Sequence, residues 1–419
     1  MKVTVVGGGS TYTPELVDGI ARLRDLLPVD ELVLADPATD RVEVVAEMSR
    51  RMLARADHPA KVVATSDIDS GVSDADAVLL QLRVGGQAAR MQDEAWPMEC
   101  GCIGQETTGA GGLAKALRTV PVVLEIAELV RKRAAPGAWI VDFTNPVGIV
   151  TRALLQAGHR AVGLCNVAIG FERYFAELLD VAPEDVALGH VGLNHLTWER
   201  SVTVGGRDVL PELIERHGAE LADRVDQPEW LVRQLGVIPS YYLHYFYNPD
   251  AAVEAARGAQ SRGAQVAEME RTLLEMYADP GVDTKPELLG RRGGAFYSEA
   301  AINLLASLTA DRGDAQVVNL RNDGALPFLP DDAVIEVPAT ITASGAEAVP
   351  VDPVPPLYSG LISHTFAYEQ LALEAALHGG RDRVFQALLA HPLVGQVETA
   401  TGLTDRLLAA NRDHLGWAR

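Results

Sequence analysis

Only three cysteines, Cys100, Cys102 and Cys165, occur in 419 residues. A disulfide scaffold is therefore excluded for so large a chain, and a reducing cytoplasm is the expected setting. No uninterrupted apolar run reaches about 18 residues, so no membrane span is predicted. The opening MKVTVVGGGS is too briefly apolar for a secretory signal and carries no cleavage site. Basic residues are scarce beside acidic ones, 36 against 57, for a formal charge of −21. That balance excludes a general nucleic-acid or anionic-membrane surface, since either needs a basic face. A small anionic substrate stays possible, because two or three local arginines can hold one. Repeats, low-complexity tracts and flexible linkers are also missing, so two halves are expected to pack as one unit with a cleft between them. The rest of the composition, 48% hydrophobic and 22% charged, is that of a soluble globular protein long enough for two ordinary domains.

The first half alternates strand and helix patterns. KVTVVGGG reads as a buried strand entering a glycine turn, followed by a helix over 14–26. ELVLAD, KVVATS, ADAVLLQLRV, AWIVDFTNP and AVGLCN read as further strands, and RVEVVAEMSRRMLARA and residues 113–134 as helices. Such alternation predicts an α/β fold with a Rossmann-like, doubly wound parallel sheet. After about residue 185 the pattern changes. Strand-like DVALGHVGLNH, TWERSVTV and AVIEVPATITA mix with helices at roughly 263–278, 298–311, 364–378 and 381–391. The expected organisation is a dinucleotide-binding domain at 1–185 and a mixed α+β half at 186–419 for substrate, metal and oligomerisation.

VVGGGSTYTPEL places Gly7, Gly8 and Gly9, with Ser10 and Thr11, between the first strand and helix. There the backbone can approach a pyrophosphate at a helix N-terminus. Tyr12 stands where the dinucleotide fingerprint has its third glycine. Asp36 ends the second strand, where a carboxylate can bond both ribose hydroxyls. It favours NAD over NADP, whose 2′-phosphate it would repel.

Several unusual strings follow: QLRVGGQAARMQDE with Arg83 and Arg90, GCIGQETTGAGGLAKALR with Glu106, and DFTNPVG with Asn145. GLCNVAIG then brings Cys165 and Asn166, and GLNHLTW brings Asn194 and His195. LGVIPSYYLHYFYNP holds Tyr241, Tyr242, Tyr245 and Tyr247, ahead of Arg262 in SRGAQV and of RRGGAFYSEAAINL. Alone, Cys165 is better read as a small packed hydrophobe, and its separation from His195 is not a diagnostic metal spacing. His190 and His244 are further candidate ligands, each more simply a core or surface histidine.

Taken in order, these strings resemble glycoside hydrolase family 4, closest to its 6-phospho-β-glucosidase branch. The resemblance runs from the glycine turn through VVNLRNDGALPFLPDDAVIEVP. Ala110 and Ala168 depart from it, standing where the branch usually has proline. It implies a redox-assisted elimination outside two-carboxylate hydrolysis. NAD⁺ takes hydride from C3 of the sugar, a base removes the C2 proton, and the aglycone leaves C1. Water then adds and NADH returns the hydride.

By the same resemblance Cys165 and His195 hold a divalent cation, Mn²⁺ being the expected ion, although softer Zn²⁺ suits a thiolate better. Tyr242 is the implied base, which needs cationic neighbours because an ordinary tyrosine titrates near pH 10. The metal and Arg262 are the expected source of that field. Glu106 is implied to support the tyrosine, its plainer reading being a carboxylate near a helix N-terminus. Arg90, Asn145, Asn166 and Arg262 match substrate-contacting positions, and Arg83 is either a salt bridge or a ligand contact. Asn166 replaces the aspartate that serves as acid in the α-specific branch, and an amide cannot protonate a leaving group. The implied partner is a small sugar or sugar phosphate, with no nucleic acid or membrane, in a homodimer or homotetramer. The competing readings are an unphosphorylated β-glycosidase of the same family, a lactate/malate-type 2-hydroxy-acid dehydrogenase, and a catalytically silent NAD or sugar sensor.

Overall fold

The computed structural model describes residues 1–293 and 296–418. Six short strands form its parallel part: β1 (Lys2–Val6), β2 (Glu31–Ala35), β3 (Lys61–Thr65), β4 (Ala77–Leu80), β5 (Trp139–Asp142) and β6 (Ala161–Gly163). They lie in the order 3-2-1-4-5-6, every neighbouring pair parallel. This is the doubly wound arrangement, whose order reverses between β1 and β4. Apolar residues run almost unbroken along these strands because helices cover both faces. Thr13–Arg22, Thr39–Arg55 and Tyr297–Ala310 bury Leu16, Val45, Met48 and Leu305 on one side. On the other, Gly109–Arg133, Val147–Gln156 and Pro356–His378 bury Leu117, Val150 and Leu373.

The chain next adds β7 (Val186–Leu193), β8 (Leu196–Val204), β9 (Arg207–Asp208), β10 (Ile238–Pro239), β11 (Asp314–Arg321), β12 (Val334–Thr342) and β13 (Gly345–Ala348). These are antiparallel, and β11 pairs with β6, so one 13-stranded sheet runs through both halves. The mixed second half is therefore an extension of the first sheet. Several local expectations change. β4 stops at Leu80, which leaves residues 81–84 as loop, and the first helix ends at Arg22. Helices at Leu210–Arg224 and Val397–Ala410, and strand β11, were not expected. Among the described residues no helix is long and apolar enough to cross a membrane.

Candidate active site

A cavity of about 1550 Å³ opens where the strand order reverses, beyond the ends of β1 and β4. Its cofactor side begins at Gly7, whose φ is +87°. A Cβ there would lie 2.6 Å from the Gln81 carbonyl oxygen, so only glycine lets the two loops approach. Gly8 packs on the Leu34 backbone, and the Gly9 N–H donates to Asp36 Oδ2 at 3.1 Å. Gly7, Ser10, Tyr12 and Asp36 line the cavity, whereas Thr11 is buried behind it with its carbonyl bonded by Tyr277. The helix Thr13–Arg22 starts without a side-chain cap. A glycine cradle, an uncapped helix end and an acid immediately after β2 fit a dinucleotide. In place of the third glycine, Tyr12 meets Tyr297 edge-on across the cavity wall.

Glu270, on the helix Arg262–Ala278, ties this end together. It accepts from Arg41 at 3.1 Å, Arg292 at 2.8 Å and Gln87 at 3.0 Å, while Arg41 also donates to the Gly9 carbonyl. Burial opposes the Glu270 charge, yet Arg292 and Arg41 outweigh it and hold the carboxyl down at about 2, below its ordinary 4.5. The stabilisation is thus complete above pH 4.5 and disappears as pH falls toward 2. Glu270→Gln is expected to lower unfolding free energy at pH 7 by about 2–3 kcal/mol, allowing for the partial exposure of Arg41. In urea titrations the gap to wild type should close between pH 4.5 and pH 2; a pH-independent gap would refute the assignment.

The substrate side is dense in charge. Glu106 lies against Arg83, against Lys115 Nζ at 2.8 Å and against Arg90 at 3.1 Å. Arg90 also donates to Glu94 at 2.8 Å, and Glu94 accepts from the Gly263 N–H at the start of the Arg262–Ala278 helix. Burial disfavours the Glu106 charge, but Lys115, Arg83 and Arg90 prevail and keep it ionised. Burial pulls the Lys115 ammonium below the ordinary lysine range, with Glu106 resisting and Arg83 adding to the fall. Glu106 is thus an ion-pair hub, neither a helix cap nor bonded to Tyr242. Arg83 is a salt-bridge partner that also lines the cavity.

Asn145 lines the same wall, its buried Oδ1 without a protein partner. An orphaned buried acceptor of this kind is suited to a ligand hydroxyl. Asn166 also lines the cavity and precedes the helix Val167–Leu179. Arg262 departs from expectation. It sits exposed on the rim and donates to the carbonyls of Arg291 and Arg292 at 2.9 and 3.0 Å. The guanidinium is engaged by that helix end, at the margin of the cavity it lines. Of the string RRGGAFYSEAAINL, Gly294 and Ala295 lie outside the described residues.

Asn194 and His195 form the two-residue turn between β7 and β8, where Leu193 pairs with Leu196. His195 has φ +65°, a left-handed conformation uncommon outside glycine and found at strained functional turns. Its Nδ1 lies 3.0 Å from Thr107 Oγ1, and that hydroxyl donates to Gln105 Oε1 at 2.9 Å. Thr107 must then accept from Nδ1–H, which leaves the Nε2 lone pair available. Burial, opposed by Glu336, lowers His195 to about 4, so the imidazole is neutral. The Tyr242 ring stacks on His195 with centroids 3.7 Å apart. Cys165, buried after β6, acts electrostatically on Tyr241, Tyr242 and Tyr297.

Burial and the Glu336 charge push the Cys165 thiol up, against hydrogen bonds from Val167, Asn194 and Asn166. Burial, then Tyr241 and Cys165, likewise push Tyr242 well above an ordinary phenol. A neutral imidazole and a thiol beside one tyrosine fit a divalent cation as donors, and coordination would draw off the thiol proton. Among the described residues no group of three or more His, Cys, Asp or Glu could hold a metal. A two-ligand site leaves positions for substrate and water. His190 is excluded as a ligand because both ring nitrogens are taken by Glu199 and Glu336. His244 bonds the Asp226 carbonyl. Lys115, Glu94, Glu270, Arg292, Thr107 and Glu336 were not among the expected site residues. Lys115 stands within GLAKALR, but a lysine in a helix reads as solvent-facing.

A parallel 3-2-1-4-5-6 sheet whose crevice joins a glycine cradle to charged and nucleophilic side chains defines a dinucleotide-dependent enzyme. The chain matches the Family 4 glycosyl hydrolase description over residues 2–181 and that family's C-terminal domain over residues 190–394. It belongs to this family. It is 38% identical to a probable 6-phospho-beta-glucosidase of Bacillus subtilis, covering 99% of this chain and 97% of that one. It is 36% identical to the 6-phospho-beta-glucosidase of Thermotoga maritima, covering 99% of both. A structure of the Thermotoga maritima 6-phospho-beta glucosidase with manganese, NAD⁺ and glucose-6-phosphate superposes with a TM-score of 0.93 at 35% identity, again over 99% of both chains.

Proposed function

We propose that this protein is an NAD- and divalent-metal-dependent 6-phospho-β-glucosidase. The observation that carries the reading is the joining, in one cavity, of the cofactor cradle, the stacked Tyr242–His195 pair with Cys165 buried near it, and a cationic corner. In that corner Arg83, Arg90 and Lys115 face two carboxylates, Glu94 and Glu106, within a chain of charge −21. An anionic sugar is the ligand such a local excess favours. The Thermotoga maritima relative holding glucose-6-phosphate and manganese supports the same assignment.

Cys165 and His195 would hold the cation, and the Gly7–Ser10 turn with Asp36 would hold NAD. When bound, these groups supply a returning hydride acceptor at C3 and Lewis-acid polarisation of the sugar oxygens. Tyr242 Oη takes the proton from C2. Glu106 orients Arg83, Arg90 and Lys115 around the sugar. Asn145 Oδ1 accepts from a sugar hydroxyl, with Asn166 beside it, and Arg262 meets the substrate only at the rim. Residues 1–185 serve as the cofactor-binding unit and 186–419 supply His195, Tyr242 and the oligomer contacts of a cytoplasmic homodimer or homotetramer.

A 6-phospho-β-glucoside should be preferred over its unphosphorylated analogue by about 2–3 kcal/mol, or roughly 30- to 150-fold in kcat/KM. A p-nitrophenyl glycoside pair assayed with NAD⁺, Mn²⁺ and a thiol reductant measures this. Equal efficiencies would make the protein an unphosphorylated β-glycosidase of the same mechanism.

A further inference from the structure

Tyr242 is the middle member of a stack of three rings. His195 lies with its centroid 3.7 Å away and its plane 11° off parallel, and Tyr241 with its centroid 4.2 Å away and its plane 30° off. Two rings so close and so nearly parallel to a third cannot share one of its faces, so His195 and Tyr241 cover opposite faces of Tyr242. The inner end of the stack is fixed. Thr107 holds the His195 ring, and Asn194, beside it in the turn, donates to Glu336 Oε2 at 2.8 Å. The outer end is open. Tyr241 is 45% exposed, and of the large exposed apolar side chains among the described residues it alone lines the cavity.

The fold itself has little use for an aromatic ring there. Tyr241 belongs to the short turn Tyr241–Leu243, whose buried anchor is Leu243. A half-exposed ring contributes little to a core, and covering its outer face would release the free energy of its apolar area. The cavity wall beside the stack is apolar as well. Tyr245, with its centroid 6.5 Å from that of Tyr242, packs together with Met98 against Ile103 and Ala252, and all four line the cavity. Charge is concentrated elsewhere, where Arg83, Arg90 and Lys115 meet Glu106. The cavity thus has one end suited to an anion and another that offers a flat π face and aliphatic surface.

We propose that the outer face of Tyr241 is the platform on which the aglycone rests, selecting leaving groups that present a flat apolar face, an aromatic ring or a pyranose. This rests on the glycosidase reading above and gives it a specificity. Hydride loss at C3, proton loss at C2 and bond breaking at C1 follow one another along the sugar. With His195 on the C3 side and Tyr242 Oη at C2, one ring further out brings Tyr241 beside C1 and the group that leaves it. A π face stacks on another ring and also meets the C–H face of a sugar, whereas a methyl group is too small to cover it. Tyr241 is already packed on Tyr242, so the contact costs little further ordering of the side chain.

The test compares phenyl, glucosyl and methyl 6-phospho-β-glucosides, with NAD⁺ and Mn²⁺ present, in wild type, Tyr241→Phe and Tyr241→Ala. The readout is kcat/KM for the first two, each divided by that for the methyl glycoside. Truncating Tyr241 also loosens Tyr242, but that loss is common to all three substrates and cancels in the ratio. In Tyr241→Ala the phenyl ratio, the glucosyl ratio or both should fall about 5- to 50-fold. Tyr241→Phe keeps the flat face and should keep both ratios. A fall for phenyl alone assigns an aromatic aglycone to the platform, and a fall for glucosyl alone assigns a sugar. Should Tyr241→Ala be inactive, Tyr241→Leu, apolar but without a flat face, should show the same fall. Unchanged ratios, or complete loss on all three substrates in both variants, would overturn the platform and leave the glycosidase reading standing. Failure of wild type to cleave any of the three would overturn that reading, and the platform with it.

Discussion

In Cys165→Ser and His195→Ala, turnover falls by about a thousandfold or more, while the fold and NAD binding persist. The loss follows from what the two groups are without a cation. His195 is neutral, held at about 4, and Cys165 is a buried thiol pushed up by burial and by Glu336. An imidazole held at about 4 is a weak base, a thiol so raised is a weak acid at neutral pH, and neither lies in the cofactor turn. On the proposed reading they are donors to a cation, and loss of Lewis-acid stabilisation is worth several kcal/mol, each 1.4 kcal/mol being tenfold in rate. Metal-dependent release of p-nitrophenol, with NAD affinity measured in parallel, checks this. Full activity of either variant after exhaustive chelation would remove the metal from the mechanism.

Tyr242→Phe is the second large effect, with an expected loss in kcat of about 10²- to 10⁴-fold, the range for a positioned general base. The substitution keeps the ring that stacks on His195 at 3.7 Å and on Tyr241 at 4.2 Å, so it removes little more than the hydroxyl. Burial, Tyr241 and Cys165 hold that hydroxyl in its neutral form, and Arg262 is turned away toward the carbonyls of Arg291 and Arg292. On the proposed reading its basicity would come from a cation at the Cys165–His195 pair. In D₂O, wild-type product should carry deuterium at C2, and the phenylalanine variant should lose this label along with turnover. Wild-type kcat and full C2 labelling in Tyr242→Phe would assign the proton to another group.

The parallel sheet was legible because buried parallel strands are continuous apolar runs and each is followed by a helix pattern, as in KVTVV and ELVLA. β11 was not. Its DAQVVNLR alternates irregularly, because Asn319 occupies a buried position that apolar residues normally fill. The cofactor turn and the Cys165, His195 and Tyr242 trio could be read from strings in order. The ion-pair hub could not, because it depends on which cations converge on Glu106 in space. Lys115 on its helix and Arg292 after another carry no local sign that they are buried. For Arg262 the string alone did not show that it also donates to the carbonyls of Arg291 and Arg292.

The register of β12 bears on any attempt to exchange parts between relatives. Successive side chains on a strand point to opposite faces, so moving β12 by a single residue turns Glu336 away from Asn194 and His190. Such a shift would turn over the buried apolar side chains of β12 as well, and it would detach Glu336 from Asn194, the residue before His195. Chimeras joined between β11 and β12, or loop grafts at residues 322–333, must therefore preserve the parity of the strand as well as its composition. Two hybrids differing in whether β12 has slipped by one residue would differ in whether Asn194 still reaches Glu336.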